Sequence, residues 1–140
     1  MAEFERDFIL RQIQQLARMV AQIVLRARSE GSYETGLEQV RSALAGGLDV
    51  DYEMLSRIDP ASAALLVRDG EVLRTLAWIV AQESELRRGA GEVAEAERLR
   101  RRALALYDEC ARRFPEEGAA CREAADALAG GVDPGRSGSR

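Results

Sequence analysis

Four arginines crowd into five positions at Arg98, Arg100, Arg101 and Arg102, and three carboxylates alternate at Asp49, Asp51 and Glu53. The first group has the charge to hold a phosphate and the second to hold a cation. A helix, however, turns the four arginines to different faces. Acidic partners also stand at helical offsets: Glu95 precedes Arg98 by three and Glu97 precedes Arg101 by four. Asp108–Arg112, Glu109–Arg113 and Glu83–Arg87 repeat the arrangement. Such pairs read as a solvated helix face, each contributing a few tenths of a kcal/mol. The carboxylates of Asp49, Asp51 and Glu53 converge only on extended backbone, and no calcium-loop pattern follows them. They read as a solvated turn ahead of a short helix.

All twenty basic residues are Arg, and the chain has no Lys, Asn or His. Without His there is no Ser-His-Asp triad, no imidazole metal site and no imidazole pH switch. No Gly-rich phosphate loop or nucleophile motif occurs either. Carboxylate pairs are so frequent that none stands out for acid–base work. The expectation is a protein that is not an enzyme and that uses no cofactor or metal.

Two cysteines, Cys110 and Cys121, lie eleven apart and outside any CxxC pattern. They read as buried thiols acting as small hydrophobes. A disulfide between adjacent helices is the alternative, which a reducing cytosol disfavours.

A length of 140 residues suits one domain able to bury about two-thirds of the surface its unfolded chain exposes. Apolar residues make up 46% and charged residues 31%, the profile of a folded rather than a disordered chain. A net charge of −4 creates no general attraction for nucleic acid. The opening MAEFERDF lacks the basic start of a secretory signal. The apolar segment from Phe8 to Ala27 is interrupted by Arg11, Gln12, Gln14, Gln15, Arg18 and Gln22, too polar for a bilayer span. A cytoplasmic protein of bacterial type is expected, without membrane or nucleic-acid partners.

The elements that must carry these residues are helices. Ile9, Ile13, Leu16, Val20, Ile23 and Ala27 recur at 4-3-4-3-4 spacing, predicting a first helix from Phe4 to Arg28. Leu10, Ala17, Ala21 and Val24 widen its apolar side, so it needs more than one neighbour. Gly31 ends that helix, and a second follows over Tyr33–Leu44 until Gly46-Gly47 breaks it. Two short helices are expected in LDVDYEMLSRI and PASAALLVRD, the second with Asp59 as N-cap and Pro60 at its first position. A fifth covers Glu71–Arg88 and buries Leu73, Leu76, Ala77 and Val80. The sixth, Glu92–Phe114, buries Ala96, Leu99, Ala103, Leu106 and Cys110, with Tyr107, Ala111 and Phe114 beside them. Pro115 opens a last helix to Leu128. No segment alternates as a half-buried strand does. The chain is therefore expected to be all-α, with six to seven helices in antiparallel hairpins. They form one domain over residues 1–129, with a flexible tail over 130–140.

The stretch GSYETGLEQVRSAL from Gly31 has a weaker copy, GEVAEAERLRRRAL, from Gly91. In this alignment Gly36 matches Ala96, Arg41 matches Arg101, Ala43 matches Ala103 and Leu44 matches Leu104. A turn glycine followed by small residues five and twelve positions later resembles the second half of a tetratricopeptide repeat. The Trp, Leu-Gly and Tyr of that repeat's first helix are out of register, and neither copy has its terminal Pro. The copies are 60 residues apart, leaving about 26 beyond the usual period. The resemblance covers two hairpins, Asp7–Leu44 and Glu71–Phe114. A second resemblance, carried by DFILRQIQQLARMVAQI and the Gly-Ser-Tyr-Glu turn, is to a small family of uncharacterised bacterial all-helical proteins. It implies a helical fold and no activity.

The tetratricopeptide resemblance implies a binding groove on the inner face of each hairpin's first helix. It assigns Arg18, Ala21, Leu25 and Arg28 to one hairpin and Trp78, Ala81, Glu85 and Arg88 to the other. Arginines beside a Trp suit a carboxylate or an extended acidic peptide, although Trp78 and Leu25 also read as core residues beside solvated arginines. The expected role is a non-enzymatic protein–protein interaction module. The alternative is a structural protein that self-associates, a homodimer covering what remains of the broad first helix.

Overall fold

The computed structural model describes residues 2–47 and 52–130. The acidic run Asp49, Asp51 and Glu53 and the tail beyond Gly130 lie outside the side chains it describes. The elements are α1 (Ala2–Glu30), α2 (Tyr33–Gly47), α3 (Tyr52–Arg57), α4 (Pro60–Leu66), α5 (Gly70–Gly89), α6 (Val93–Arg113), a 3₁₀ turn (Pro115–Glu117) and α7 (Gly118–Ala129). The protein is all-helical, with seven α-helices and no strand among the described residues.

α5 is the centre. Val72, Leu73, Leu76, Ala77, Ile79, Val80, Ala81, Ser84 and Leu86 are all buried, so it is covered on most sides. α1 and α2 pack on it from one side and α6 from the other. α6 in turn receives α4 and α7, and the 3₁₀ turn touches α5, α6 and α7. Burying that many aliphatic side chains in one continuous cluster supplies the main stabilising term. The buried hydroxyl of Ser84 donates to the Ala96 carbonyl at 2.7 Å, joining α5 to α6 without leaving an unpaired polar group.

The two long hairpins turn in the same way. Gly31 and Gly91 both adopt positive φ, +68° and +86°. The next amide after each donates five residues back, Ser32 to Ala27 at 3.1 Å and Glu92 to Arg87 at 2.9 Å. This is the six-to-one closure of a helix end that needs a left-handed residue. Five residues after each glycine the helices meet closely. A Cβ on Gly36 would stand 3.1 Å from Ala27 and 3.3 Å from Leu86, while Ala96 is fully buried.

Several expectations need correction. The buried stripe of α1 is Ile13, Leu16, Val20, Val24 and Ala27. Ile9 is 37% exposed and Ile23 only partly buried, since α2 and α5 cover an arc centred nearer Val20 and Val24. α2 runs through Gly46 to Gly47, because glycine weakens a helix by about 1 kcal/mol without ending it. Pro115 opens a 3₁₀ turn rather than α7; Phe114 before it sits at φ −129°, ψ 81°, outside the helical region as a residue preceding proline prefers. Asp59 caps α4 as expected, accepting from the Ser62 amide at 3.0 Å. Asp69 does the same for α5, accepting from the Glu71 and Val72 amides.

Candidate functional site

α1 and α5 lie side by side and run parallel. Gln14 Nε2 donates to Glu71 at 2.7 Å, and Arg28 donates to Glu85 at 2.9 Å. Both pairs are 57 residues apart in sequence, so one register holds over four turns of the two helices. It places Ala21, midway between Gln14 and Arg28, opposite Trp78, midway between Glu71 and Glu85. Arg6 pairs with Asp69 near the start of the seam. A parallel register repeated after two heptads is the geometry of helices crossing at a small angle.

The residues assigned to a groove sort onto this seam unevenly. Leu25 is 66% exposed and Arg18 is exposed, one turn along α1 from the point facing Trp78. Trp78 is partly buried, its ring packed against the core cluster with part of its surface open. Arg28 and Glu85 neutralise each other. Arg88 turns away from α1 and reaches Glu97 of α6 at 3.8 Å. Ala81 is buried at 6% exposure and belongs to the core. Among the described residues Arg18 has no ion-pair partner. Arg18, Leu25 and Trp78 are thus the residues of that assignment that keep open surface without an ion pair on the seam. The hydrogen bonds that set its register come from Gln14 and Glu71, which sequence spacing alone did not single out.

Three of the four arginines in the α6 cluster, Arg98, Arg100 and Arg101, are held by carboxylates of the same helix. Arg98 grips Glu95 with two hydrogen bonds, at 2.9 and 2.7 Å. Arg100 grips Glu97 at 2.9 and 2.6 Å, and Arg101 adds a third bond at 3.2 Å. These bonds, Arg100 foremost, hold the Glu97 carboxyl down at about 2. Arg102 donates to the Leu55 carbonyl and so ties α3 to α6. Further along, Arg112 pairs with both Asp108 and Glu109, where Glu109 was expected to reach Arg113. Guanidiniums engaged by their neighbours in this way have fewer free donors for a phosphate.

Beneath α3 and α4 lies a cavity of about 20 Å³, lined by Leu55, Ala63, Val67, Leu73, Leu76 and Arg102 among others. A drug-sized ligand needs roughly 300 Å³ or more. A polar concavity on the outer side of the first hairpin, between Arg26, Glu30, Ser32 and Gln39, is open to solvent and carries charges of both signs. Among the described residues, no three His, Cys, Asp or Glu side chains converge as metal ligands would. No described helix is long and apolar enough to cross a membrane.

No family model matches the chain, and no curated protein or solved structure matches it.

Proposed function

We propose that this chain is a non-enzymatic, tetratricopeptide-like interaction module that receives an extended acidic segment of a partner protein along the α1–α5 seam. The observation that carries the reading is the charge arrangement of that seam. Arg28 cancels Glu85 and Gln14 engages Glu71, which leaves Arg18 as a free guanidinium one turn before the partly open Trp78, with the exposed Leu25 one turn after it. A carboxylate on a passing peptide would find a planar bidentate donor there, with apolar surface following it along the seam. The packing order supports the same reading: α2 rests on both α1 and α5, and α5 pairs with α6, as in stacked hairpins whose first helices line one face. Within the α3–α4 insert, α4 packs chiefly on α6. A cytoplasmic setting accords with this role.

Self-association is the second reading. Phe8 and Met19, 50% and 46% exposed, stand eleven residues apart on one side of α1, three turns along the same stripe.

Affinity capture with the intact chain tests the first reading. Arg18→Glu and Leu25→Ser should each remove a specific partner from the recovered set and leave the melting temperature within a degree or two. Arg113→Glu, a reversal on α6 away from the seam, should remove nothing. Recovery of the chain alone, together with a dimer mass in light scattering that Met19→Glu abolishes, would support self-association instead.

A further inference from the structure

Arg11, Gln14, Arg18, Ala21, Leu25 and Arg28 recur at 3-4 spacing and form one stripe of α1 along the seam. Gln14 and Arg28 are the rungs that tie this stripe to α5, through Glu71 and Glu85. Its other two polar members, Arg11 and Arg18, are exposed and have no ion-pair partner among the described residues. Seven residues of helix separate their α-carbons by about 10.5 Å. Leu25 follows at the same interval, and Trp78 stands level with Ala21, between Arg18 and Leu25. The 57-residue offset of the two rungs also sets Gln82 opposite Leu25. Gln82 is partly buried, and its amide makes no hydrogen bond among the described residues.

We infer that the partner segment is a polyproline-II helix carrying two carboxylates three residues apart and an apolar residue three further on. This rests on the seam being a peptide site. A polyproline-II chain has three residues per turn and rises about 3.1 Å per residue, so positions i, i+3 and i+6 share one face at steps of about 9 Å. Flexible arginine side chains bridge the small difference from their own interval. A β-strand instead sets same-face residues about 7 or 13 Å apart, out of step with both arginines. The two carboxylates engage Arg11 and Arg18, and the apolar residue meets Leu25. Between them the chain crosses the open part of Trp78, a surface on which proline rings pack. A polyproline-II chain leaves its carbonyls unpaired, and the Gln82 amide donates to one of them. A helical partner would match the arginines at i and i+7, but it must also bury a continuous apolar stripe. This ridge offers apolar surface only around Trp78 and Leu25.

Charge refines the pattern. The Glu71 carboxylate, bonded to Gln14, lies between the levels of Arg11 and Arg18 and repels acid at the two positions between the partner's carboxylates. Asp7 precedes Arg11 by four on α1 and offsets part of its charge, so Arg18 is the stronger anchor. The three-residue face of a polyproline-II helix is the same in either chain direction, so the spacing applies both ways along the seam.

Fluorescence polarisation with the intact chain and two fluorescein-labelled heptapeptides tests this. One peptide has Glu at its first and fourth positions, Leu at its seventh and Pro elsewhere; the other has that order reversed. At least one should bind, with affinity falling as salt is added. Moving the outer Glu one position toward the inner one should weaken binding by about three-fold or more. Arg18→Ala should cost about five-fold and Arg11→Ala about two- to three-fold, with the circular dichroism of both variants unchanged. Once the outer Glu is replaced by Gln, Arg11→Ala should cost nothing further. Indifference to the Glu spacing, or tighter binding of an Ala-rich helical peptide with Glu seven apart, would overturn the inference; where that binding still needs Arg18, the seam remains a peptide site. Failure of both heptapeptides also overturns it. Affinity capture then separates the two claims: a partner lost with Arg18→Glu keeps the seam, and its absence removes the seam as well.

Discussion

Arg28 of α1 donates to Glu85 of α5 at 2.9 Å, and the register set by that pair is repeated two heptads earlier by Gln14 and Glu71. The Arg28 and Glu85 side chains are 48% and 46% exposed, so solvent screens most of their attraction. A double-mutant cycle with Arg28→Ala and Glu85→Ala should give a coupling of about 0.2–1 kcal/mol that shrinks with added salt. A coupling of several kcal/mol, unaffected by salt, would contradict the exposed geometry.

Three glycines should respond to alanine in opposite directions. At Gly31 and Gly91 the positive φ makes a side chain costly, and Gly31→Ala and Gly91→Ala should each destabilise by about 1–2 kcal/mol. At Gly46, inside α2 and with open space around its α-carbon, Gly46→Ala should stabilise by about 0.5–1 kcal/mol. Urea midpoints at unchanged slope are the measurement. Equal losses at Gly31 and Gly91 would match the shared turn geometry.

Gly89 is needed for a different reason. The ring of Tyr33 lies directly over it, and a Cβ at Gly89 would overlap that ring. Gly89→Ala should therefore cost about 1–3 kcal/mol through displacement of Tyr33. Combining it with Tyr33→Ala should cost less than the sum of the two single changes, because the clash is then absent. Additivity would show that the ring is not what the methyl meets.

Glu97 links stability to acid. Its carboxyl titrates near 2 in the folded protein against 4.5 ordinarily, held down first by Arg100 and then by Arg101. A carboxyl depressed on folding contributes stability above its unfolded value, and the contribution disappears as pH falls through the folded value. Melting temperature should be level from neutral pH to about 5 and decline between about 4.5 and 2. Glu97→Gln should flatten part of that decline. Glu95 and Asp59, lowered by Arg98 and Ser62 respectively, account for some of the remainder.

Trp78 provides an optical check, as the only Trp in the chain. Partly buried against the core cluster, it should emit between the extremes of a core and a free indole, and acrylamide should quench it. Trp78→Ala should cost less than the roughly 3–5 kcal/mol of a fully buried Trp. Emission that acrylamide leaves untouched would remove Trp78 from the candidate seam.

What the sequence determined by itself was local. Apolar residues at 3-4 spacing placed the long helices, because a helix that buries one stripe must repeat it every turn. Leu73, Leu76, Ala77 and Val80 are buried as that spacing requires, and so are Ala96, Leu99, Ala103, Leu106 and Cys110. The turn at Gly31 and Gly91 and the cap at Asp59 were also legible, since left-handed backbone and a free helix N-terminus select particular residue types. Tertiary structure alone decided which face of α1 is buried, and hence that Ile9 lies outside the core and Val24 inside it. It paired Gln14 with Glu71 and Arg28 with Glu85, turned Arg88 toward Glu97, and set the Cys110 thiol against the Gly70 carbonyl. These outcomes depend on the register between helices far apart in the chain. Within one helix the period is fixed by the backbone, whereas between two helices the register is settled only when their side chains interlock.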